Sequence, residues 1–141
     1  MPFSFLKKNE INEMKIKDIC IVGPWYGRNY GSMLTYYALH EVIKNMGYSV
    51  LMVNDPLESG NIINNNNLHP KNMIGYLYDI SQHKNLKNLN ELNDECKCFL
   101  TGSDQLWNVY LSRPLKQFYF LDFVDDKKKK IFICHFIWNT L

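Results

Sequence analysis

The chain has 141 residues, of which 46% are hydrophobic and 21% are charged, so it has the size and apolar area of one folded domain. Its net charge of +2 is too small to favour a nucleic-acid partner. The apolar stretch at the start is too short for a signal peptide, and no apolar run approaches the roughly 20 residues that span a bilayer. We therefore expect a soluble, cytoplasmic protein with no stable membrane insertion.

The cysteines do not form a metal-binding pattern. Cys96 and Cys98 are separated by one residue and no second pair follows them, so their spacing matches no zinc motif. Cys20 and Cys98 lie in apolar, strand-like runs and are predicted to be small buried residues. We expect reduced thiols and no metal site.

The first half of the chain predicts a strand, a loop, a helix and a second strand. Residues 18–23 and 48–54 are apolar runs typical of buried strands. Glycines and a proline interrupt the loop at residues 24–31, and Gly47 is placed to end the helix that begins at Ser32. The apolar residues of this helix recur at helical spacing: Met33, Tyr36, Tyr37, His40, Ile43 and Met46, with Leu34, Leu39 and Val42 widening the face.

The second half predicts further strands and helices. Four consecutive asparagines at residues 64–67 predict a mobile surface loop. Residues 96–102 predict a third buried strand that ends at a glycine, and residues 103–108 a loop or short helix after it. The other predicted elements are a helix around Met73, Leu77 and Ile80, and a second helix or a continuation of the first around Leu86, Leu89 and Leu92. An edge strand or extended segment is predicted over residues 117–123 and a fourth strand over residues 130–138.

Strands that alternate with helices predict an α/β fold with a Rossmann-like, mostly parallel sheet. In such sheets, ligands bind outside the carboxyl ends of the strands. Two loops with polar residues leave carboxyl ends here, at residues 25–32 and 102–108. If the first and third strands are neighbours, both loops face one crevice.

The first of these loops contains the candidate binding residues Asn29, Tyr30, Gly31 and Ser32. Its glycine spacing matches neither a Walker A motif nor a dinucleotide-binding fingerprint. The unpaired N–H groups of a helix start favour an anion or a polar ligand oxygen. Asn29 or Ser32 could equally serve as a helix cap, and both interpretations remain open.

The second loop has a denser set of polar groups. Gly102 lets the backbone turn or approach a ligand closely. Three side chains can hydrogen-bond sugar hydroxyls and one can stack on a sugar ring: Ser103, Asp104, Gln105 and Trp107. The alternative is that Ser103 or Asp104 caps a helix while Trp107 packs in the core. Asp104 is the best-placed acid for proton transfer but lacks a visible partner, and the histidines, His40 among them, are predicted to be structural or solvated, so no catalytic residue is assigned.

Asn-Tyr-Gly before a helix and Gly-Ser-Asp-Gln-x-Trp after a strand together resemble the N-terminal half of the polysaccharide pyruvyl transferase family. The resemblance covers residues 18–130. It implies one of two Rossmann-like halves in a glycosyltransferase-B-type arrangement, with the active site between them. The implied activity transfers a pyruvyl ketal group from phosphoenolpyruvate to a sugar of a surface polysaccharide, without a cofactor. The implied ligand residues are Asn29, Tyr30, Gly31, Gly102, Ser103, Asp104, Gln105 and Trp107.

The sequence departs from this resemblance after Lys130. The family continues with a Tyr-Ala-x-Ser-Phe-Gly-like segment and a second domain, whereas this chain reads IFICHFIWNTL and ends. With a permissive choice of codons, residues 133–140 read one base later give Tyr-Ala-Thr-Ser-Phe-Gly-Thr. The lysines at residues 127–130 imply an adenine-rich tract where a polymerase or a sequencing read can slip.

We hypothesise that the reading frame shifts after this tract. The chain then divides into three predicted segments. Residues 1–17 are a polar leader, residues 18–130 the N-terminal domain of a pyruvyl transferase, and residues 131–141 an out-of-frame tail. Such a half is expected to be inactive by itself, because donor and acceptor must be positioned by both domains. The alternative is a self-contained sugar- or nucleotide-binding module without turnover. As a protein segment, the lysine run beside Asp125 and Asp126 predicts a solvated turn.

Overall fold

A computed structural model describes residues 15–25, 29–54, 56, 77–102, 106 and 115–133. These residues form a four-stranded, all-parallel sheet in the order β2-β1-β3-β4. The strands are β1 (Lys17–Val22), β2 (Val50–Met52), β3 (Cys96–Gly102) and β4 (Lys129–Ile133). The helices are α1 (Tyr30–Asn45), a 3-10 helix (Leu89–Asp94) and α2 (Lys116–Tyr119). The predicted α/β class and parallel sheet are confirmed.

Four of the strand-like runs in the sequence each contain one observed strand, and the run at residues 117–123 contains none. The register pairs Ile19 of β1 with Val50 of β2, and Ile21 of β1 with Leu100 of β3. On the far side of β3, Leu100 pairs with Ile131 of β4. The fourth strand thus includes the first residues of the predicted tail, and the predicted strand beyond Ile133 lies outside the described residues.

The two faces of the sheet are covered by different segments. On one face, α1 packs over the sheet. This cluster joins Tyr36 and Ile43 of the helix to one residue from each of three strands, namely Ile21, Met52 and Leu100. On the other face, the 3-10 helix and the region of α2 cover a second cluster, which includes Val22, Leu92, Phe99, Phe118 and Leu121. Because both faces are buried, the strands carry apolar residues on both sides, which explains their continuous apolar runs.

The helix α1 ends as its sequence predicts, and its apolar face is narrower than predicted. Gly47 has a positive φ of 90° and donates its N–H to the carbonyl of Lys44 at 2.9 Å, while Tyr48 donates to the carbonyl of Ile43 at 3.4 Å. This is the Schellman arrangement. The prediction of a buried face is right for Tyr36, His40 and Ile43 and wrong for Leu34, Tyr37, Val42 and Met46, which are exposed.

Two predictions of secondary structure are wrong. Residues 117–123 are predicted as an edge strand, but the chain forms α2 and then turns, with Leu121 at a positive φ of 58°. Their aromatic composition suits a strand, yet Phe118 and Leu121 are buried against the sheet instead. Ile80 is predicted to be helical, but it forms an isolated parallel bridge with Met52 on the outer side of β2.

The structure joins Cys20 to Cys96 in a disulfide, with Cα atoms 5.9 Å apart. Both residues are fully buried in the same core cluster. The prediction of reduced thiols is therefore wrong for this pair, because bonding depends on which distant segments the fold brings together. Cys98 is free and only partly buried, and burial raises the pKa of its thiol.

The lysine run is not a simple solvated turn. Lys127 is exposed in a turn, in agreement with the prediction. Lys128 is partly buried and donates hydrogen bonds to the carbonyls of Asn93 and Cys96. The remaining two lysines belong to β4. The prediction is therefore wrong for most of the run, because tertiary contacts gave Lys128 backbone acceptors from a distant segment.

Asp18 connects the amino ends of three strands. Its carboxylate accepts hydrogen bonds from the N–H and the hydroxyl of Ser49, at 2.9 and 2.7 Å, and from the ammonium of Lys97 at 2.8 Å. The hydrogen bond from Lys97, followed by those from Ser49, holds the pKa of Asp18 well below its ordinary value of 3.8.

Replacing Asp18 with asparagine is expected to destabilise the protein most above about pH 5 and progressively less at lower pH. A carboxyl group whose pKa is lower in the folded state adds stability that is present above its unfolded pKa. That stability is lost as the pH falls through the folded pKa. Urea unfolding at neutral and acidic pH measures the effect, with exposed Asp126→Asn as the control. A difference from wild type that persists unchanged in acid would contradict the assignment.

Candidate functional site

The carboxyl ends of β1 and β3 lie side by side at the centre of the sheet. Val22, the last residue of β1, pairs with Thr101, and Gly102 ends β3. The connection that follows β1 covers one face of the sheet, and residues that follow β3 cover the opposite face. A parallel sheet opens a crevice at such a point, where successive connections leave in opposite directions. The condition set by the sequence, that the first and third strands be neighbours, is confirmed.

The start of α1 stands at one side of this crevice. The side-chain oxygen of Asn29 accepts a hydrogen bond from the N–H of Ser32 at 3.2 Å, so Asn29 caps the helix. The hydroxyl of Ser32 instead donates to the carbonyl of Pro24. Of the two possible caps, the structure selects Asn29.

Two backbone donors remain available at the helix start. The N–H groups of Tyr30 and Gly31 have no hydrogen-bond acceptor among the described residues. Both residues are exposed, and the first turn of α1 contains no acidic side chain. Unpaired donors at the positive end of a helix favour an anionic oxygen. The role predicted for these residues therefore has suitable donors in place.

The end of β3 forms the opposite side of the crevice. A Cβ on Gly102 would lie 2.6 Å from the carbonyl oxygen of Ile133 and 2.7 Å from its Cβ. The close approach of β4 thus requires glycine here, which is a reason that the sequence did not indicate. The hydroxyl of neighbouring Thr101 is buried and has no hydrogen-bond partner among the described residues, an uncommon state for a buried polar group.

The remaining predicted site residues belong to the motif that follows β3. Ser103, Asp104, Gln105 and Trp107 lie outside the described residues. Leu106, within the same motif, is described and is buried in the core cluster that contains Phe118. The ligand roles of these four residues stay predictions.

Two buried aromatic residues, Trp25 and Tyr36, connect the segments that border the crevice. The sequence did not indicate them as site residues. The indole N–H of Trp25 donates to the carbonyl of Val53 at 2.7 Å, which fixes the loop after β1 to the end of β2. The hydroxyl of Tyr36 donates to the carbonyl of Gly102 at 2.8 Å. Both side chains are 1% exposed. Their polar atoms were the available signal, because buried indole and phenol groups need hydrogen-bond partners.

Two cavities lie at the other, amino end of the sheet. The larger, of about 440 Å³, has in its lining Lys84, which already forms ion pairs with Glu91 at 2.8 Å and with Glu95 at 3.4 Å. The smaller, of about 340 Å³, includes His40 in its lining. His40 is buried, hydrogen-bonds the carboxylate of Glu41 and contacts the ring of Tyr78 edge-on, in agreement with a structural role. Neither cavity is at the end where parallel sheets bind ligands.

No family model, curated protein or solved structure matches this chain. The resemblance noted from its motifs therefore stays a prediction. No helix in the described part of the chain has both the length and the apolar character needed to cross a membrane.

Proposed function

We propose that the chain is the N-terminal, Rossmann-like half of a cytoplasmic polysaccharide pyruvyl transferase, and that the crevice at β1 and β3 contributes to its ligand site. The observation that carries this proposal is the pairing of these two strands. It brings the starts of both motif-bearing loops to the same end of the sheet, where parallel α/β sheets bind ligands. Residues far apart in sequence can thereby act on one ligand.

The proposed chemistry joins a sugar to phosphoenolpyruvate. The oxygens of two sugar hydroxyls bond to the enol carbon, and the bond from that carbon to the phosphate oxygen breaks. One hydroxyl proton goes to the methylene carbon, which becomes a methyl group, and the other leaves with inorganic phosphate. The N–H groups of Tyr30 and Gly31, which have no acceptor among the described residues, suit a carboxylate or phosphate oxygen. Ser103, Asp104 and Gln105 supply groups for sugar hydroxyls, and Trp107 offers an apolar ring face. The second domain would complete the site.

The same crevice also fits a second function, a sugar- or nucleotide-binding module without turnover. Such a module would use the helix start for a nucleotide phosphate and the second loop for a sugar. The two functions differ in their preferred ligand. A pyruvyl transferase half is expected to bind phosphoenolpyruvate or a hexose acceptor, whereas the module binds a nucleoside diphosphate or a sugar without forming a ketal.

A charge placed at the helix start tests the anion site. We expect Ser32→Glu to weaken phosphoenolpyruvate binding by at least about tenfold relative to Ser32→Gln, through repulsion between two negative charges. The two variants have similar size and both lose the hydroxyl that donates to Pro24, so charge is their main difference. An acidic residue in the first turn also suits the helix dipole, so the glutamate variant should remain folded.

Isothermal titration of the full chain with phosphoenolpyruvate, a hexose panel and a nucleoside diphosphate measures the preference. Trp107→Ala should lower hexose affinity, while Asp126→Asn serves as the control. Preferential binding of the nucleotide would favour the module. Equal affinity of the two Ser32 variants for phosphoenolpyruvate would contradict the proposed anion site, and absence of all binding would contradict a ligand site in this chain.

The nucleic-acid sequence tests the proposal that the chain is half of an enzyme. Sequencing through the codons of residues 127–130 and beyond should reveal a frame that encodes a second domain, and the continuous chain should release phosphate from phosphoenolpyruvate when an acceptor sugar is present. An intact tract with no such frame downstream would contradict this proposal.

A further inference from the structure

We propose that Tyr36 is a positioning residue that fixes the distance between the two sides of the crevice. Tyr36 lies in α1, and the first residues of this helix form one side of the crevice. Its hydroxyl hydrogen-bonds Gly102, at the end of β3, which forms the other side. The consequence for ligand binding rests on the proposed function. The consequence for the end of β3 at Gly102 rests on the hydrogen bond from Tyr36.

The contacts of Tyr36 connect three elements. Its hydroxyl donates to the carbonyl of Gly102, the last residue of β3. Its ring occupies the space beside Gly23, just after β1, so closely that a Cβ there would overlap the ring. The side chain is 1% exposed, and its motion is therefore coupled to both strand ends. Helix α1 is held to the strand ends at one point by packing and at the other by a directional bond.

The carbonyl of Gly102 lies at the end of β3 that borders the crevice. It is the last backbone acceptor of β3 before the segment that contains the predicted sugar-binding residues. On the other side, Tyr30 lies six residues before Tyr36 in the same helix, or about 1.7 turns at 3.6 residues per turn. A shift of α1 along the sheet would therefore change the spacing between the start of α1 and the end of β3.

The hydroxyl is suited to a permanent contact. Burial raises the pKa of Tyr36 far above its ordinary value of 10.0, so the group stays protonated and donates its hydrogen bond at any physiological pH. If Tyr36 served only to fill the core, its ring would suffice and the hydroxyl would be dispensable. Phenylalanine separates these roles, because it keeps the ring and removes the donor.

We expect Tyr36→Phe to loosen the start of the second loop without a global change. Hydrogen exchange followed by mass spectrometry should show several-fold faster exchange in the peptide that contains Gly102 and the residues after it. Peptides from β2 and from the 3-10 helix should exchange as in wild type. Tyr37→Phe is the matched control, since Tyr37 is the exposed neighbour on the same helix.

Ligand affinity provides the second measurement. Phosphoenolpyruvate or hexose affinity should fall about tenfold in Tyr36→Phe and stay unchanged in Tyr37→Phe, as expected when a site loses its preorganisation. Unchanged exchange after Gly102, or faster exchange throughout the protein, would overturn the positioning role. A local increase with unchanged affinity would overturn the link to ligand binding. If wild type binds neither ligand, the proposed function fails, and the exchange pattern still decides the structural role.

Discussion

Gly23→Ala is expected to destabilise the protein by about 3 kcal/mol, the upper part of the usual range for an overpacked core. A Cβ at this position would lie 1.9 Å from the hydroxyl oxygen of Tyr36 and 2.2 Å from the ring carbon that bears it. Neither atom can withdraw easily, because Tyr36 is fully buried and its hydroxyl is bonded to Gly102. The added methyl group must displace α1 or the end of β1.

A double-mutant cycle identifies the contact responsible for this loss, with the free energy of unfolding of each variant measured by chemical denaturation. In a Tyr36→Leu background the shorter side chain leaves room for the methyl group, so Gly23→Ala should cost less than about 1 kcal/mol there. The difference between the two backgrounds isolates the contact between position 23 and the tyrosine ring. Equal losses in both backgrounds would show that another feature of the strand end requires glycine.

Trp25→Ala should cost about 3 to 5 kcal/mol, the range for truncating a large buried aromatic side chain. Trp25 is 1% exposed and packs edge-on against Tyr78, with ring centroids 5.8 Å apart. Its removal also takes away the indole donor bound to the carbonyl of Val53. The loop after β1 would thereby lose its anchor to β2, immediately before the start of α1.

Trp25→Phe separates the contribution of apolar packing from that of the indole hydrogen bond. It keeps much of the apolar contact and loses the hydrogen bond, so its loss of stability should lie clearly below that of alanine. The same denaturation measurement compares both variants with wild type, and exposed Tyr48→Ala is a control for the loss of an aromatic ring. An alanine loss of less than about 1 kcal/mol would contradict the anchoring role, because such a residue would then contribute little to the core.

Local patterns in the sequence predicted most of the sheet and the main helix. The run at residues 96–102 coincides with β3, and the glycine at position 47 ends α1 as predicted. These features depend on the chemistry of a few adjacent residues. Apolar runs favour buried strands, and glycine adopts a positive φ with little strain.

Errors occurred where a segment's conformation depends on distant partners. The aromatic residues of α2 have a composition typical of a strand. In the structure they form a helix, and Phe118 packs against the face of the sheet. Ile80 adopts its position because Met52 offers backbone groups at the outer side of β2. Lys128 and the disulfide between Cys20 and Cys96 depend equally on long-range contacts.

The candidate site shows the same division. The sequence left open whether Asn29 or Ser32 caps the helix or contacts a ligand, and the hydrogen bonds identify Asn29 as the cap. The sequence also predicted a role for Gly102 near a ligand. The structure gives another reason for glycine at this position, which is the close approach of Ile133 in β4, a strand that begins 27 residues later. That contact is invisible to any local pattern.

By itself, the sequence determined the class of fold, the runs that contain the four observed strands and the polar composition of the two loops. Only the tertiary structure decided that β1 and β3 are neighbours, which places the starts of these loops at one crevice. The physical reason is that apolar periodicity specifies which residues are buried, whereas strand order depends on how all the connections pack together. The link between Tyr36 and Gly102, 66 positions apart, is a product of that packing.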